Sequence, residues 1–143
     1  MNVDTILRNK GAGVLTIPPD ATIAEAVRRL DDNRVGALVV SADGRAIGGI
    51  LSERDIVRGL AAHGTAALDR SVSALMSRDV RTCQRDDTLD ELFALMTDRR
   101  VRHLPVVEDG ALAGIVSIGD VVKAQLDALA GEAEALREYI AQA

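Results

Sequence analysis

Two stretches of the chain carry groups whose types and spacing suit the binding of a phosphorylated ligand. Gly49-Ile50-Leu51-Ser52-Glu53-Arg54-Asp55 and Gly114-Ile115-Val116-Ser117-Ile118-Gly119-Asp120 each run from apolar residues into a serine, with an aspartate three positions on. A serine at a helix start sits among unpaired backbone N–H groups at the positive end of the helix dipole, which attracts phosphate. A carboxylate one turn further in can accept hydrogen bonds from the vicinal hydroxyls of a ribose. Arg54 adds a planar, permanently charged donor suited to a bidentate phosphate contact. Ile17 with Ala37, Leu38 and Val39, and Cys83 with Leu104 and Pro105, offer apolar walls for a flat base. The sum of these parts is a nucleotide. The same Ser-x-x-Asp spacing also reads as a reciprocal helix cap, and Thr22–Glu25 and Thr88–Glu91 show that the chain uses such caps elsewhere.

The elements that must position these groups come in two copies. Shifting the sequence by 66 positions lays Val14–Gly44 on Val80–Gly110, and a shift of 65 lays Ala46–Arg58 on Ala111–Lys123, with about 18 of 44 pairs identical. Each copy reads as strand, helix, strand, strand, helix. The first strands are expected at Val14–Ile17 and Val80–Cys83. Helices follow the caps at Thr22 and Thr88, with Ile23, Ala26, Val27 and Leu30, and Leu89, Leu92, Phe93 and Met96, at helical spacing. Ala37–Val40 with Ile47–Leu51, and Leu104–Val107 with Leu112–Val116, form hairpins that turn at Asp43-Gly44 and Asp109-Gly110. Second helices open at Ser52 and Ser117. The fold class is therefore α/β (α+β), with residues 1–62 as the first repeat and its N-terminal lead-in, 72–125 as the second repeat and 126–143 as a helical extension. Val3–Leu7 and Val72–Met76 read as short helical lead-ins to the copies they precede. After Asp120 the helical pattern runs to the C-terminus, with Val122, Leu126, Leu129, Ala133, Leu136 and Ile140 spaced 4, 3, 4, 3, 4, a heptad-like seam that either docks on its own module or meets a second subunit.

Composition narrows the function. The 143 residues are 48% hydrophobic and 27% charged, a globular balance. A net charge of −5 argues against non-specific attraction to nucleic acid or anionic lipid, and an aromatic content of 1% leaves almost nothing from which to build base-stacking platforms. The single Cys83 excludes an internal disulfide and a cysteine-based zinc site. Met1–Gly13 lacks a signal-like apolar run, and no stretch approaches 18 apolar residues, so no membrane span is expected and the expected location is cytoplasmic.

The order of elements, the duplication and the motifs at 49–55, 102–107 (Arg-His-Leu-Pro-Val-Val) and 114–120 together resemble a tandem pair of CBS domains, or Bateman module, over about Val3–Gln125. The resemblance implies a pseudo-twofold pair with two clefts for adenosine-containing ligands such as AMP, ADP, ATP, NAD or S-adenosylmethionine, the serine or threonine contacting phosphate and the aspartate ribose. Transferred by position, the first cleft comprises Thr16, Ile17, Ala37, Leu38, Ser52, Arg54 and Asp55. The second comprises Thr82, Cys83, His103, Leu104, Pro105, Ser117 and Asp120. Val39 against Pro105 and Arg54 against Gly119 make the clefts inequivalent, so single occupancy is open. Tandem pairs of this kind commonly associate as homodimers.

The expected function is a regulatory module sensing AMP, ADP or ATP, with NAD as a further option, and signalling to its own dimer or to an unidentified regulated protein. A structural dimerisation module with degenerate clefts is the alternative. An enzyme of nucleotide metabolism finds no nucleophile–base constellation in the sequence. Two histidines without cysteine or carboxylate at ligand spacing offer no metal site, and Cys83 reads as a small strand residue. Arg99, Arg100 and Arg102 read as a solvated basic surface.

Overall fold

A computed structural model of the protein describes residues 1–11 and 13–142. In chain order these form α1 (Val3–Lys10), β1 (Thr16–Ile17), α2 (Ile23–Asn33), β2 (Ala37–Val40), β3 (Gly49–Ser52), α3 (Glu53–His63), a 3-10 turn (Gly64–Asp69), α4 (Val72–Leu75), α5 (Leu89–Arg99), β4 (His103–Glu108), β5 (Ala111–Ser117) and α6 (Ile118–Ala141). Among these residues no helix is long and apolar enough to cross a membrane.

Local chemistry explains the helix starts. Thr22, Ser52, Thr88 and Ser117 each accept a hydrogen bond from the backbone N–H three residues on. Three of the four boxes are reciprocal. At Thr22 the returning half is missing, because Glu25 turns to Arg29 (2.9 Å), which in turn donates to the Thr16 carbonyl (2.7 Å) and ties α2 to β1. Helices α2 and α5 end at Arg34 and Arg100, equivalent positions that both adopt the left-handed conformation.

The sheets of the two repeats differ. In the first, β1 runs parallel to β2, and β2 antiparallel to β3, with Ala37 opposite Ser52. In the second, β4 and β5 pair antiparallel, with His103 opposite Ser117. The strand expected at Val80–Cys83 is reduced to one parallel bridge, Cys83 with Val106. Pro105 supplies the reason. Its counterpart Val39 donates its N–H to the Leu15 carbonyl, whereas proline has no N–H to offer Arg81. The hairpins also part ways. Asp109-Gly110, both at positive φ, closes β4 onto β5 as expected. In the first repeat residues 41–48 form a loop in which Asp43 accepts from the Arg45 and Ala46 N–H groups, so β3 begins at Gly49 rather than at Ile47.

Each repeat has its own core, and the lead-ins are exchanged between them. Val3, Ile6 and Leu7 of α1 pack with Leu89, Leu92, Met96, Leu104, Val106, Val116 and Val121 of the second repeat. Val72 of α4, with Leu75 and Met76, packs with Ile17, Ile23, Leu30, Leu38, Leu51 and Ile56 of the first. Each lead-in thus serves the copy it does not precede. The backbone bonds match in detail: Val3 and Asp4 donate to Asp87 and Arg85, and Val72 and Ser73 to the equivalent Ala21 and Pro19. Two glycines admit the lead-ins. A methyl group on Gly49 would stand 2.6 Å from Met76 Sδ, and one on Gly114 would stand 2.8 Å from Leu7 Cδ2.

Helix α6 removes one of the two readings of the heptad-like seam. Ile118, Val121 and Ala124 face the second core, but Val122, Leu126, Leu129, Leu136 and Ile140 are exposed, and every residue from Leu129 to Gln142 lies at the surface. The seam does not dock on its own module.

Candidate functional site

The two serine–aspartate motifs occupy equivalent places, each where the last strand of a repeat feeds its second helix. Strand β3 delivers Ser52 to the start of α3. Asp55 Oδ2 accepts from the Ser52 N–H (2.9 Å) and hydroxyl (3.1 Å), and the Asp55 N–H donates back to Ser52 Oγ (3.3 Å). Asp55 Oδ1 accepts from the Ser77 hydroxyl (3.0 Å), which arrives on the segment following α4. This carboxylate is buried and both of its oxygens are engaged. Arg54, on the first turn of α3, is exposed, and among the described residues no hydrogen bond or ion pair restrains it.

Strand β5 delivers Ser117 to the start of α6 in the same way. Asp120 Oδ2 accepts from the Ser117 N–H (2.9 Å), and the Asp120 N–H donates to Ser117 Oγ (3.1 Å). In place of the Ser77 hydroxyl stands an ammonium group. Lys10, at the end of α1, donates to Asp120 Oδ2 (2.7 Å) and to the Ile115 carbonyl (2.9 Å). Burial pulls the Asp120 carboxyl upward, but the Lys10 and Ser117 hydrogen bonds outweigh it and its pKa lies below the ordinary carboxylate value. Among the described residues Oδ1 of Asp120 has no hydrogen-bond donor. Sequence reasoning gave this motif no cation, since Gly119 replaces Arg54; the exchanged lead-in supplies one.

His103 links the two repeats. A methyl group on Gly36 would stand 3.3 Å from His103 Cε1 and 3.6 Å from Glu53 Oε1, so an imidazole of the second repeat and a carboxylate of the first converge on this glycine. Burial lowers the His103 pKa, and the pull of Glu53 and Asp120 opposes it without reversing it. Among the described residues it makes no hydrogen bond to Ser117, the residue opposite it in the ladder. The repeats also meet where Leu112 donates to the Arg45 carbonyl (2.9 Å), fixing the loop after β2 on β5.

The remaining expected residues divide by exposure. Thr16, Ser52, His103 and Ser117 are half-buried and Thr82 is exposed, so each presents surface. Ile17, Leu38 and Leu104 are wholly buried, and Ala37, Cys83 and Pro105 nearly so, which leaves them to back a cleft wall rather than line it. Burial raises the Cys83 thiol to about 12, with Asp87 adding to the effect, so it stays protonated and inert. Two surface hollows stand out. One of about 540 Å³ runs between α2 and α3 over Val27, Leu30, Arg34 and Ile56 and reaches Gly36 and Glu53, the residues that meet His103, and one of about 310 Å³ lies beside the Asp109-Gly110 turn. Among the described residues no group of three or more His, Cys, Asp or Glu is placed to hold a metal ion. Lys10, Ser77, Gly36 and Glu53 were not legible as site residues; the only signal for Lys10 and Ser77 was their position at the ends of the two lead-ins.

Comparison with known proteins bears on the family and the fold. The family model described as "CBS domain" matches residues 11–62 and 72–127. The CBS domain-containing protein CBSX3, mitochondrial, of Arabidopsis thaliana is 33% identical over 146 residues, covering 96% of this chain and 71% of the relative. The crystal structure of the CBS-domain containing protein ATU1752 from Agrobacterium tumefaciens superposes with a TM-score of 0.85 at 48% identity, covering 87% of this chain and 99% of that one. The CBS domain pair of protein MJ0100, solved in complex with 5′-methylthioadenosine and S-adenosyl-L-methionine, superposes with a TM-score of 0.76 at 25% identity, covering 86% and 94%. With both copies matched in sequence, and the duplicated strand–helix motif matched in structure, the chain belongs to the CBS-domain family as a tandem pair.

Proposed function

We propose that the protein is a regulatory module that senses AMP, ADP or ATP, working in the cytoplasm as a homodimer and passing its bound state to a regulated partner. The observation that carries this reading is the pairing, in both repeats, of a serine at a helix start with a cation and a carboxylate: Ser52, Arg54 and Asp55 in one, Ser117, Lys10 and Asp120 in the other. That set matches phosphate and ribose. The MJ0100 pair, with two adenosine-containing ligands named in its complex, supports an adenosine class of ligand here. Exposed Val27, Val57 and Leu60 on the first repeat, and the equivalent Phe93 and Val122 on the second, form the apolar helical faces through which two copies would associate.

A second reading, a dimerisation module with degenerate clefts, is favoured by the burial of Asp55 and the engagement of both its oxygens. Calorimetry and thermal melting decide between them. AMP, ADP, ATP and NAD are each titrated into the protein, with guanine nucleotides as the control. The sensor reading expects heat and a raised melting temperature with adenine nucleotides, because a ligand selective for the folded state stabilises it by mass action, and less with guanine. No heat and no stabilisation at millimolar ligand leaves the structural reading.

A further inference from the structure

We infer that residues 122–140 of α6 pair with the same segment of a second copy as a parallel, in-register, two-stranded coiled coil. This rests on the homodimer part of the proposed function and not on nucleotide binding. The seam of Val122, Leu126, Leu129, Ala133, Leu136 and Ile140 alternates steps of four and three, the repeat that keeps an apolar stripe facing a partner helix rather than wrapping round a globular core. Its own module does not use it: Leu126, Leu136 and Ile140 are 61%, 59% and 64% exposed. Most of this segment lies beyond residue 127, where the match to the CBS-domain family ends, so it is an addition to the pair rather than part of it.

The charges select both the partner and its direction. With Leu126, Ala133 and Ile140 at heptad position a, and Val122, Leu129 and Leu136 at d, the flanking g and e positions hold Glu132 and Arg137. Parallel, in-register pairing sets Glu132 of each copy beside Arg137 of the other, an opposite-charge contact made twice. Antiparallel pairing with the seam fully overlapped sets Glu132 against Glu132, and Lys123 against Arg137, so every flanking charge meets its own sign. Gly131 falls at f, on the outer surface, with open space around it, and does not interrupt the seam. The segment is under three heptads, short for an isolated pair. It does not have to nucleate its own helix, because Ile118, Val121 and Ala124 hold the first turns of α6 against the second repeat.

The test uses the intact, ligand-free chain. Leu129→Cys and Leu136→Cys are made separately and oxidised mildly at micromolar concentration, with wild type as control, since buried Cys83 does not compete. The expected result is covalent dimer as the major product for both variants and none for wild type. Glu132→Arg alone should weaken the dimer several-fold in sedimentation, and combining it with Arg137→Glu should restore it. Failure of either cysteine variant to cross-link overturns parallel pairing. If wild type still sediments as a dimer in that case, the interface lies on the repeats and the homodimer reading survives; a wild-type monomer at tens of micromolar removes both.

Discussion

The two repeats share a motif but not the group that completes it. In the first, Asp55 is buried and finished by the neutral hydroxyl of Ser77, while the cation of the site, Arg54, stands exposed on the helix itself. In the second, Asp120 is half-buried and finished by Lys10, with one carboxylate oxygen lacking a donor among the described residues, and the helix offers only Gly119. A duplicated sequence has therefore produced one site whose carboxylate is satisfied and another whose carboxylate is charged, paired and still open. The groups that complete the two carboxylates come from the lead-in segments, and the Arg54–Gly119 difference from the motif itself.

Removing the carboxylates gives the largest separation between the sites. Asp120→Ala should weaken an adenine nucleotide at the second cleft by about 1.5–3 kcal/mol, the worth of hydrogen bonds to an ionised group, read by calorimetry. Asp55→Ala should act mainly on stability, costing about 1 kcal/mol or more for the lost cap and the orphaned Ser77 hydroxyl, read by thermal melting. Equal affinity losses at the two positions would erase the distinction drawn between the carboxylates.

Removing the cations should have a smaller effect. Arg54→Ala and Lys10→Met should each weaken ATP more than adenosine, by about 1 kcal/mol or less because both groups are in contact with solvent. Arg54 should act through the first cleft and Lys10 through the second, so the double variant should lose the two contributions additively. Loss of adenosine and ATP in equal measure would take the phosphate role from both residues.

The smallest expected effect is a pH dependence confined to one repeat. His103 faces Glu53, Asp120, Lys10 and Arg102, and burial depresses its pKa below the unfolded value of 6.5. The unfolded chain therefore takes up the proton first as pH falls. The contribution of His103 to stability is fully present above about pH 6.5 and is lost as the pH drops towards its folded pKa. His103→Gln should flatten the melting temperature between pH 7 and 5. The first repeat has Ala37 at the equivalent place and contributes no such slope.

Much of this was legible where the determinants are local. A hydroxyl three residues ahead of a carboxylate marks a helix start because both partners lie within one turn, and all four starts formed where that spacing stood. Asp109-Gly110 marks a tight turn for the same reason. The failures lie where a distant group decides. Glu25 left its capping box for Arg29, whose guanidinium is held by the distant Thr16 carbonyl. The strand at Val80–Cys83 shrank because its neighbour's missing N–H belongs to Pro105, some twenty residues on. Lys10 looks like an ordinary basic residue at the end of a helix, and its role appears only across a separation of 110 residues. The exchange of the lead-ins leaves no mark in the sequence, since an apolar helix face fits either core.

That exchange bears on the order in which the halves can assemble during synthesis. The first core draws on residues 17 to 76, one continuous stretch, so everything it needs has been made once α4 appears. The second draws on residues 3 to 7 and on 83 to 121, and the Asp87 and Arg85 carbonyls that anchor α1 arrive some eighty residues after it. Closing so long a loop is slow compared with forming local contacts. Helix α1 must therefore wait, its apolar face without a partner, while the neighbouring half folds beside it. The growing chain passes through a stage in which one repeat is finished and the other still lacks its final wall.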